Sequence, residues 1–229
     1  LRGTVIHDVL EVFVNMGPWV DAPQAKTALL NLSSEMLKDL VPWPAARRMW
    51  QARVARFADW FVAGETKRQE ALLYSKTEVW GEVALPTLGF TLVGKADRVD
   101  VLHDGAAHIY DYKTGKPPSK DQQLHFDKQL LLEVEMLRQG GFERLGARQV
   151  VGATYIGLGN DPEDAAAPMD ETDVWAELSD LIRAYQDPEQ GYSARRAMLM
   201  ADASSVYDHL ARYGEWGTNQ SALLIKVSK

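Results

Sequence analysis

Apolar residues recur every three or four positions along the first part of the chain, which is the spacing of an amphipathic helix. The first stripe predicts a helix over residues 4–15 with Thr4 as its N-cap. It consists of Val5, Ile6, Val9, Leu10, Phe13 and Val14. The same reasoning predicts a second helix over 22–40 and a third over 45–69, which Pro44 opens.

Runs rich in strand-forming residues follow, and glycine or proline separates them. They predict four strands, over 74–85, 90–102, 107–113 and 149–157. Between the third and fourth strands a helix is expected over 121–138, ended by Gly140-Gly141. Residues 160–168 are expected to form a polar, acidic loop.

The C-terminal part predicts a helix over 170–185, capped by Asp170 or Thr172, and a short helix near 204–212 in an otherwise irregular tail. Together these elements predict an α/β fold, with a central mixed sheet flanked by helices and a helical N-terminal portion. We expect one domain over 1–229. Its parts are the helical portion 1–72, the sheet and helix 73–160, and the C-terminal helix and tail 161–229.

The turn between the second and third strands decides which side chains share a face of the sheet. A three-residue loop that ends at Gly105, in the left-handed region, brings Asp97 opposite Asp111. The same register pairs Val99 with Ile109. A two-residue turn would shift the pairing by one residue and put the two aspartates on opposite faces. We predict the three-residue loop.

Asp111 and Lys113 lie two positions apart on the third strand, so their side chains project to the same face. One interpretation is a solvated ion pair that contributes about 0–1 kcal/mol. The other is part of an active site, which Asp97 on the same face favours. Two converging carboxylates repel unless a cation lies between them, and oxygen ligands suit Mg²⁺ or Mn²⁺. A lysine beside such a metal can position a nucleophilic water or stabilise charge on phosphorus.

Composition narrows the classes of protein that remain. The chain has 229 residues, 46% of them hydrophobic, which suffices for one sizeable core. It contains no cysteine, which excludes disulfides, thiolate zinc sites, cysteine nucleophiles and cysteine-ligated iron–sulfur clusters. The net charge of −7 argues against a non-specific nucleic-acid coat. No apolar run approaches the ~20 residues of a membrane span. Because the chain begins with Leu1 and not Met, we expect it to be a piece of a longer protein.

Several other side chains have both a structural and a functional interpretation. The third helix has a basic side that is either a solvated face or a DNA contact, formed by Arg47, Arg48, Arg53 and Arg56. Lys116 and Lys120 either hold phosphates or belong to a solvated loop. Aromatic rings can stack on bases, but most tryptophans are expected in the core. They are Trp43, Trp50, Trp60, Trp80, Trp175 and Trp216.

Residues 89–96 match the spacing of a phosphate-binding loop, G-x-x-x-x-G-K, but not its context. The residue after Lys95 is Ala96, so the hydroxyl that contacts Mg²⁺ in such loops is missing. The intervening residues are predicted to form a strand, and no helix is predicted to follow. We therefore expect no ATP binding in this chain.

Four motifs, taken in order, resemble the PD-(D/E)xK nuclease superfamily and in particular its RecB-like branch. They are GTVIHDVLE at 3–11, GKADRVD at 94–100, IYDYKTG at 109–115, and QL at 129–130. Two further segments resemble the C-terminal nuclease domain of AddB-type subunits of bacterial helicase–nucleases. These are FDKQL at 126–130 and YDHLAR at 207–212. The resemblance covers nearly the whole chain.

The resemblance implies a restriction-endonuclease-like core and a metal site built from the matching positions. Asp97 and Asp111 would bind Mg²⁺ or Mn²⁺. His7 would add a nitrogen ligand from the first helix, and the carbonyl of Tyr112 would be a further ligand.

The resemblance also assigns roles around that metal. Lys113 would be the catalytic lysine, and Gln129 would orient the lysine or a DNA phosphate. Glu65 or Glu78 would supply a further acid, and the motifs do not choose between them. Glu133 stands where many relatives have a tyrosine after the glutamine, so that part of the DNA contact is not carried over to this chain.

The implied function is a Mg²⁺-dependent deoxyribonuclease, expected to be an exonuclease, within a bacterial helicase–nuclease that acts in double-strand break repair and recombination. Its expected partners are DNA, threaded as a single strand from a helicase, and a subunit of the AddA type, in the cytoplasm and away from membranes. Without cysteine, the iron–sulfur staple of many AddB-type nucleases cannot form here. The alternatives are an inactive DNA-binding scaffold, against which the presence of Asp97, Asp111 and Lys113 together argues, and hydrolysis of RNA.

Overall fold

The computed structural model describes residues 2–191, together with 208–210, 212, 214–215 and 217. The chain divides into two compact units, Leu1–Val174 and Trp175–Lys229, and each is described by itself. Most of the helix predicted near 204–212 lies outside the described residues, and so does Trp216.

Three helices open the first unit, at the positions that the apolar spacing predicts. They are α1 (Arg2–Asn15), α2 (Ala22–Leu40) and α3 (Pro44–Arg68). Asp21 caps α2, because its side chain accepts the Gln24 N–H at 2.7 Å. Pro44 occupies the first turn of α3, where its missing N–H costs nothing. Thr4 lies inside α1, so its prediction as the N-cap is wrong: neither Arg2 nor Gly3 stops the helix from extending backwards.

Five strands form one mixed sheet, in the order in which they occur along the chain. They are β1 (Leu72–Leu85), β2 (Phe90–Leu102), β3 (Ala107–Lys113), β4 (Val150–Gly157) and β5 (Glu163–Ala166). The first three pair antiparallel, β4 is parallel to β3, and β5 is antiparallel to β4. The predicted fold class, a mixed sheet flanked by helices, is therefore confirmed.

The strand β5 was not predicted, because its sequence, Glu-Asp-Ala-Ala, has low strand propensity. It forms at the sheet edge by pairing with β4 over four positions, so residues 160–168 are not entirely loop.

The single helix predicted over 121–138 is wrong, since two helices occupy this segment. They are α4 (Lys120–His125) and α5 (Gln129–Arg138). A capping box starts α4, in which Ser119 and Gln122 each bond the other's backbone N–H. Phe126 then leaves helical geometry, with φ at −134°. Asp127 accepts a hydrogen bond from the hydroxyl of Tyr155, on β4, which fixes the break.

The last helix, α6 (Val174–Gln186), begins later than the predicted 170–185. Neither Asp170 nor Thr172 directly precedes it, so the predicted cap is wrong. Residues 169–170 form a turn instead, and Glu171 pairs with Lys120 at 2.7 Å.

The helices α1, α2 and α3 bury their apolar faces against side chains of β3 and the end of β4. The sheet contributes Tyr110, Tyr112, Ile156 and Leu158 to this cluster. Of the tryptophans, Trp50 is buried in a smaller cluster, whereas Trp43 and Trp80 are exposed. The expectation of a core position therefore fails for these last two.

A buried ionic network joins α3 to β2. Arg98 is fully buried and donates to both oxygens of Glu65, at 2.7 and 2.8 Å. It also donates to both oxygens of Asp100, at 2.6 and 2.8 Å. Arg68 adds a hydrogen bond to Glu65 at 2.8 Å. Because both of its oxygens are engaged in this way, Glu65 is a structural residue.

Within the part of the chain that the structure describes, no helix has the length and apolar character needed to cross a bilayer. The segment with phosphate-loop spacing ends inside β2, which continues to Leu102, so Lys95 does not open a helix.

Candidate active site

The hairpin between β2 and β3 has the predicted three-residue loop. Gly105 has φ of +86°, and Val99 pairs with Ile109. The ladder ends where Arg98 meets Tyr110, one step before Asp97 and Asp111 would pair. The predicted register is therefore confirmed as far as the Arg98–Tyr110 pair, but the strands stop pairing before Asp97 and Asp111 meet.

Asp97 closes the gap left where the ladder ends. Its Oδ2 accepts the backbone N–H of Tyr112 at 2.8 Å. In the observed register that N–H would otherwise meet the carbonyl of Ala96. A carboxylate held by the neighbouring strand in this way keeps a fixed orientation and retains its other oxygen for a ligand.

His7 reaches Asp97 from α1. Its Nδ1 lies 3.4 Å from Asp97 Oδ2, and its ring meets the Tyr112 ring edge-on at 6.0 Å between centroids. Burial lowers the pKa of His7, but the hydrogen bond and charge of Asp97, with the charge of Asp111, outweigh burial and raise this pKa. The imidazole therefore lies in the negative electrostatic potential of Asp97 and Asp111, and the same potential would attract a cation.

Glu78 lies opposite Asp97 on β1. The flanking pairs are Thr77 with Arg98 and Val79 with Ala96, and Glu78 between them has φ of +51°. A non-glycine residue in the left-handed region is strained, and such strain is concentrated at functional sites.

One ligand atom each from His7, Glu78 and Asp97 lie within 4.8 Å of one another. Because Glu65 is bound by Arg98 and Arg68, Glu78 is the acid at the site. Lys95 pairs with Glu78 in this structure.

Asp111 and Lys113 lie side by side, as their spacing predicts. Lys113 Nζ is 2.9 Å from Asp111 Oδ2, which accepts no hydrogen bond in favourable geometry from the described residues. The contact is thus an ion pair, and the oxygen keeps a lone pair for another ligand. Burial and the charge of Asp97 raise the pKa of Asp111 to about 6, although Lys113 lowers it.

Gln129, the first residue of α5, connects Asp111 to Lys113. Its Nε2 donates to Asp111 Oδ1 at 2.7 Å, and its Oε1 accepts from Lys113 at 3.1 Å. The same Nε2 donates to Glu133 at 3.0 Å. The structure thus brings together five side chains that the sequence motifs single out for chemistry, and Glu65 is not among them. They are His7, Asp97, Asp111, Lys113 and Gln129.

The start of α5 is held by Tyr155 of β4, a residue that the sequence reasoning did not identify. Its hydroxyl donates to Asp127 at 3.1 Å and accepts the N–H of Leu130 at 3.3 Å. Lys113 Nζ lies 5.0 Å from the centre of the Tyr155 ring. No sequence pattern signals these contacts, because they join residues at least 25 positions apart.

The donor set fits a divalent cation. Four side chains lie where the pairing of β2 with β3 stops, and they offer carboxylate oxygens or an imidazole nitrogen: His7, Glu78, Asp97 and Asp111. Hard oxygen donors with one imidazole suit Mg²⁺ or Mn²⁺. Asp111 lies beside the group of three rather than within it, since Lys113 holds one of its oxygens. The carbonyl of Tyr112 as a ligand stays a prediction.

The basic side of α3 makes contacts that limit its interpretation as a solvated face. Arg47 donates to the carbonyl of Pro42 at 3.1 Å, and Arg53 donates to the carbonyl of Thr114, just beyond β3. Arg56 donates to Asn160 at 2.7 Å, just beyond β4. Arg53 and Arg56 therefore bind the loops that follow β3 and β4. Contact of these arginines with DNA stays a prediction.

Comparison with known proteins gives a family match and several relatives. A family model described as the PD-(D/E)XK nuclease superfamily matches residues 1–212. The chain is 27% identical to uncharacterized proteins of Rickettsia bellii, Rickettsia felis and Rickettsia conorii, over 93%, 69% and 62% of its length. It spans 27%, 19% and 18% of the lengths of these relatives, respectively.

Proposed function

The chain belongs to the PD-(D/E)XK nuclease superfamily, and on that premise we propose that it is a metal-dependent nuclease that hydrolyses phosphodiester bonds of DNA. The observation that carries the proposal is the convergence of Asp97 and Asp111 beside Lys113 and within reach of His7. A structural ion pair would need one acid and one base, whereas this site holds three carboxylates, Asp97, Asp111 and Glu78, against two lysines, Lys113 and Lys95.

The residues that would hold the cation are Asp97, Asp111, His7 and Glu78. A divalent cation bound there would polarise a phosphate oxygen and lower the pKa of water, which makes hydrolysis feasible near neutral pH. Asp111 Oδ2 is buried against the ammonium group of Lys113 at 2.9 Å, and it keeps a second lone pair that a cation could use.

Lys113 is the residue that would act directly on the reacting groups. Its ammonium side chain is 28% exposed, so it contacts both the buried Asp111 and solvent. From that position it can hold the attacking water or stabilise negative charge on the phosphate oxygens. Gln129 keeps Lys113 aimed at the site through the hydrogen bond to its Nζ.

We further propose that this nuclease acts as an exonuclease in a bacterial helicase–nuclease, in double-strand break repair in the cytoplasm. It would receive single-stranded DNA from a helicase and pair with an AddA-type subunit. Two observations support this: the motifs resemble AddB-type subunits, and the related proteins are much longer than this chain.

The proposed activity is tested by incubating the chain with linear single-stranded DNA, double-stranded DNA and RNA, with Mg²⁺ or Mn²⁺. We expect metal-dependent cleavage of DNA that falls at least about 100-fold in Lys113→Met and Asp97→Asn. Lys38→Met, which removes a lysine from the exposed surface of α2, is the matched control and should cleave like the unaltered chain.

The outcomes separate the alternatives. DNA binding without cleavage, unchanged by Lys113→Met, identifies the inactive scaffold and overturns the proposal. Cleavage of RNA in preference to DNA keeps the chemistry and changes the substrate.

A further inference from the structure

The amide of Gln129 is surrounded by three charged or acidic groups. Its Nε2 donates to Asp111 at 2.7 Å and to Glu133 at 3.0 Å, while its Oε1 accepts from Lys113 at 3.1 Å. Both amide protons and the amide oxygen are therefore engaged. If the amide turned over, its oxygen would face two acidic groups and its NH₂ would face the ammonium group, so the orientation is strongly determined.

Two of these three partners are reacting groups in the proposed function. Asp111 would bind the cation and Lys113 would turn to the phosphate or the attacking water. Neither can be a constant partner of Gln129 through the reaction. Glu133 has no reacting role in the proposed function, so it can keep its hydrogen bond with Gln129 throughout the reaction.

Glu133 lies four residues after Gln129 on α5, so the two side chains share one face of the helix. Glu133 is 4% exposed, and its Oε2 has no hydrogen-bond partner among the described residues. A buried carboxyl with a bare oxygen is costly to keep unless it has a task.

The charge of Glu133 is adapted to its neighbours. Burial raises its pKa to about 8, the hydrogen bond from Gln129 lowers it, and the charges of Asp111 and Asp97 raise it. Near neutral pH this carboxyl therefore carries a proton, accepts from Gln129 as a neutral group, and adds no charge that would compete for the cation.

We propose that Glu133 is a positioning residue, which fixes the Gln129 amide so that its oxygen faces Lys113 throughout the reaction. This inference rests on the proposed nuclease function. It also explains the departure from the family pattern, because this chain has an acid where many relatives have a tyrosine. In this chain the position acts inward on Gln129 and is not open to DNA.

The test uses two substitutions of similar size. Glu133→Gln retains an oxygen that can accept from Gln129, whereas Glu133→Leu removes the acceptor and keeps the volume. We expect kcat for DNA cleavage to fall about 10- to 100-fold in Glu133→Leu, with KM within about twofold, and to be largely retained in Glu133→Gln. In a Gln129→Leu background, Glu133→Leu should cause no further loss.

A second readout does not need catalysis. The side-chain amide protons of Gln129 are observed by ¹⁵N NMR and assigned by their disappearance in Gln129→Leu. Both protons should exchange slowly with water in the unaltered chain. In Glu133→Leu one of them should exchange at least about tenfold faster, while Glu133→Gln should restore protection.

Each result supports or overturns the positioning role of Glu133. Equal kcat in Glu133→Leu and the unaltered chain, losses that multiply with those of Gln129→Leu, or unchanged amide exchange would each overturn the positioning role. If the unaltered chain cuts no nucleic acid, the proposed function fails, and the amide exchange still decides whether Glu133 fixes Gln129.

Discussion

Asp111 combines deep burial with a charge that the fold neutralises only in part. Its side chain is 3% exposed, and Lys113 pairs with one of its oxygens. Burial beside Asp97 nevertheless raises its pKa to about 6. A residue selected for stability alone would not keep a carboxylate in this position. The energetic cost of burying this carboxylate is explained if a cation normally binds beside it.

The burial of Asp111 gives a pH-dependent prediction for the metal-free chain. Because its pKa in the folded chain lies above the ordinary 3.8, the folded state binds the proton more tightly than the unfolded state does. The contribution of this group to the free energy of unfolding is greatest at low pH and falls as the pH rises from about 4 to about 6. Above that range its destabilising effect is complete.

Asp111→Asn should therefore raise the free energy of unfolding near pH 7.5 by roughly 1–3 kcal/mol in the absence of metal. The gain should vanish below about pH 3, where Asp111 is protonated in both states. Urea unfolding at the two pH values measures both effects. A variant less stable than the unaltered chain near pH 7.5 would contradict this account of Asp111.

At the scale of elements, the short helix α5 contributes Gln129 to the site, and β4 anchors the first turn of this helix. Tyr155 holds Asp127 and Leu130 on either side of the first residue, Gln129. The hydroxyl thus ends the irregular segment after α4 and sets where α5 begins. Small shifts of that start would move Gln129 away from Lys113.

Tyr155→Phe keeps the ring beside Lys113 and removes the hydroxyl. We expect kcat to fall about three- to tenfold and the free energy of unfolding to fall by about 1 kcal/mol. Tyr74→Phe is the matched control. It loses one hydrogen bond, which Arg148 donates at 3.2 Å, and it lies near the start of β1, four residues before Glu78. It should lose similar stability and no activity. Equal activity in the two variants would show that the anchor does not matter.

The ionic network between α3 and β2 gives a second prediction for these elements. Arg98→Met leaves Glu65 buried without its main partner, so the free energy of unfolding should fall by about 3–5 kcal/mol. Adding Glu65→Leu should recover only part of that loss, because it removes one uncompensated carboxylate while the buried Asp100 stays without Arg98. Denaturant unfolding of the single and double variants tests this. A double variant as unstable as Arg98→Met would argue against the charge explanation.

The elements also show which parts of the fold sequence reasoning can reach. The β2–β3 hairpin was predictable because its turn contains Gly105 and its strands have β-branched residues, which are local signals. The break at Phe126 was not, because a hydroxyl on a distant strand fixes it. The strand β5 forms through pairing with β4, so the sequence of β5 alone does not predict it.

For the molecule as a whole, the site is assembled from four elements, α1, β1, β2 and β3, which contribute His7, Glu78, Asp97 and Asp111. The motifs predicted three of these four residues. The choice of Glu78 over Glu65 could not be made from sequence, because it depends on Arg98 binding the other acid. A cation bound to all four would stabilise the folded state of the first unit, and by about 2.7 kcal/mol at a hundredfold excess over its dissociation constant.

Binding of Mn²⁺, followed by electron paramagnetic resonance, tests the central claim most directly, because it needs neither substrate nor catalysis. We predict saturable binding by the unaltered chain, a loss of affinity of about 10- to 100-fold in Glu78→Gln and His7→Ala, and no specific binding in Asp97→Asn. Lys38→Met should bind as the unaltered chain does. Mn²⁺ binding that is unchanged in Asp97→Asn would contradict the existence of a cation site where the pairing of β2 with β3 stops.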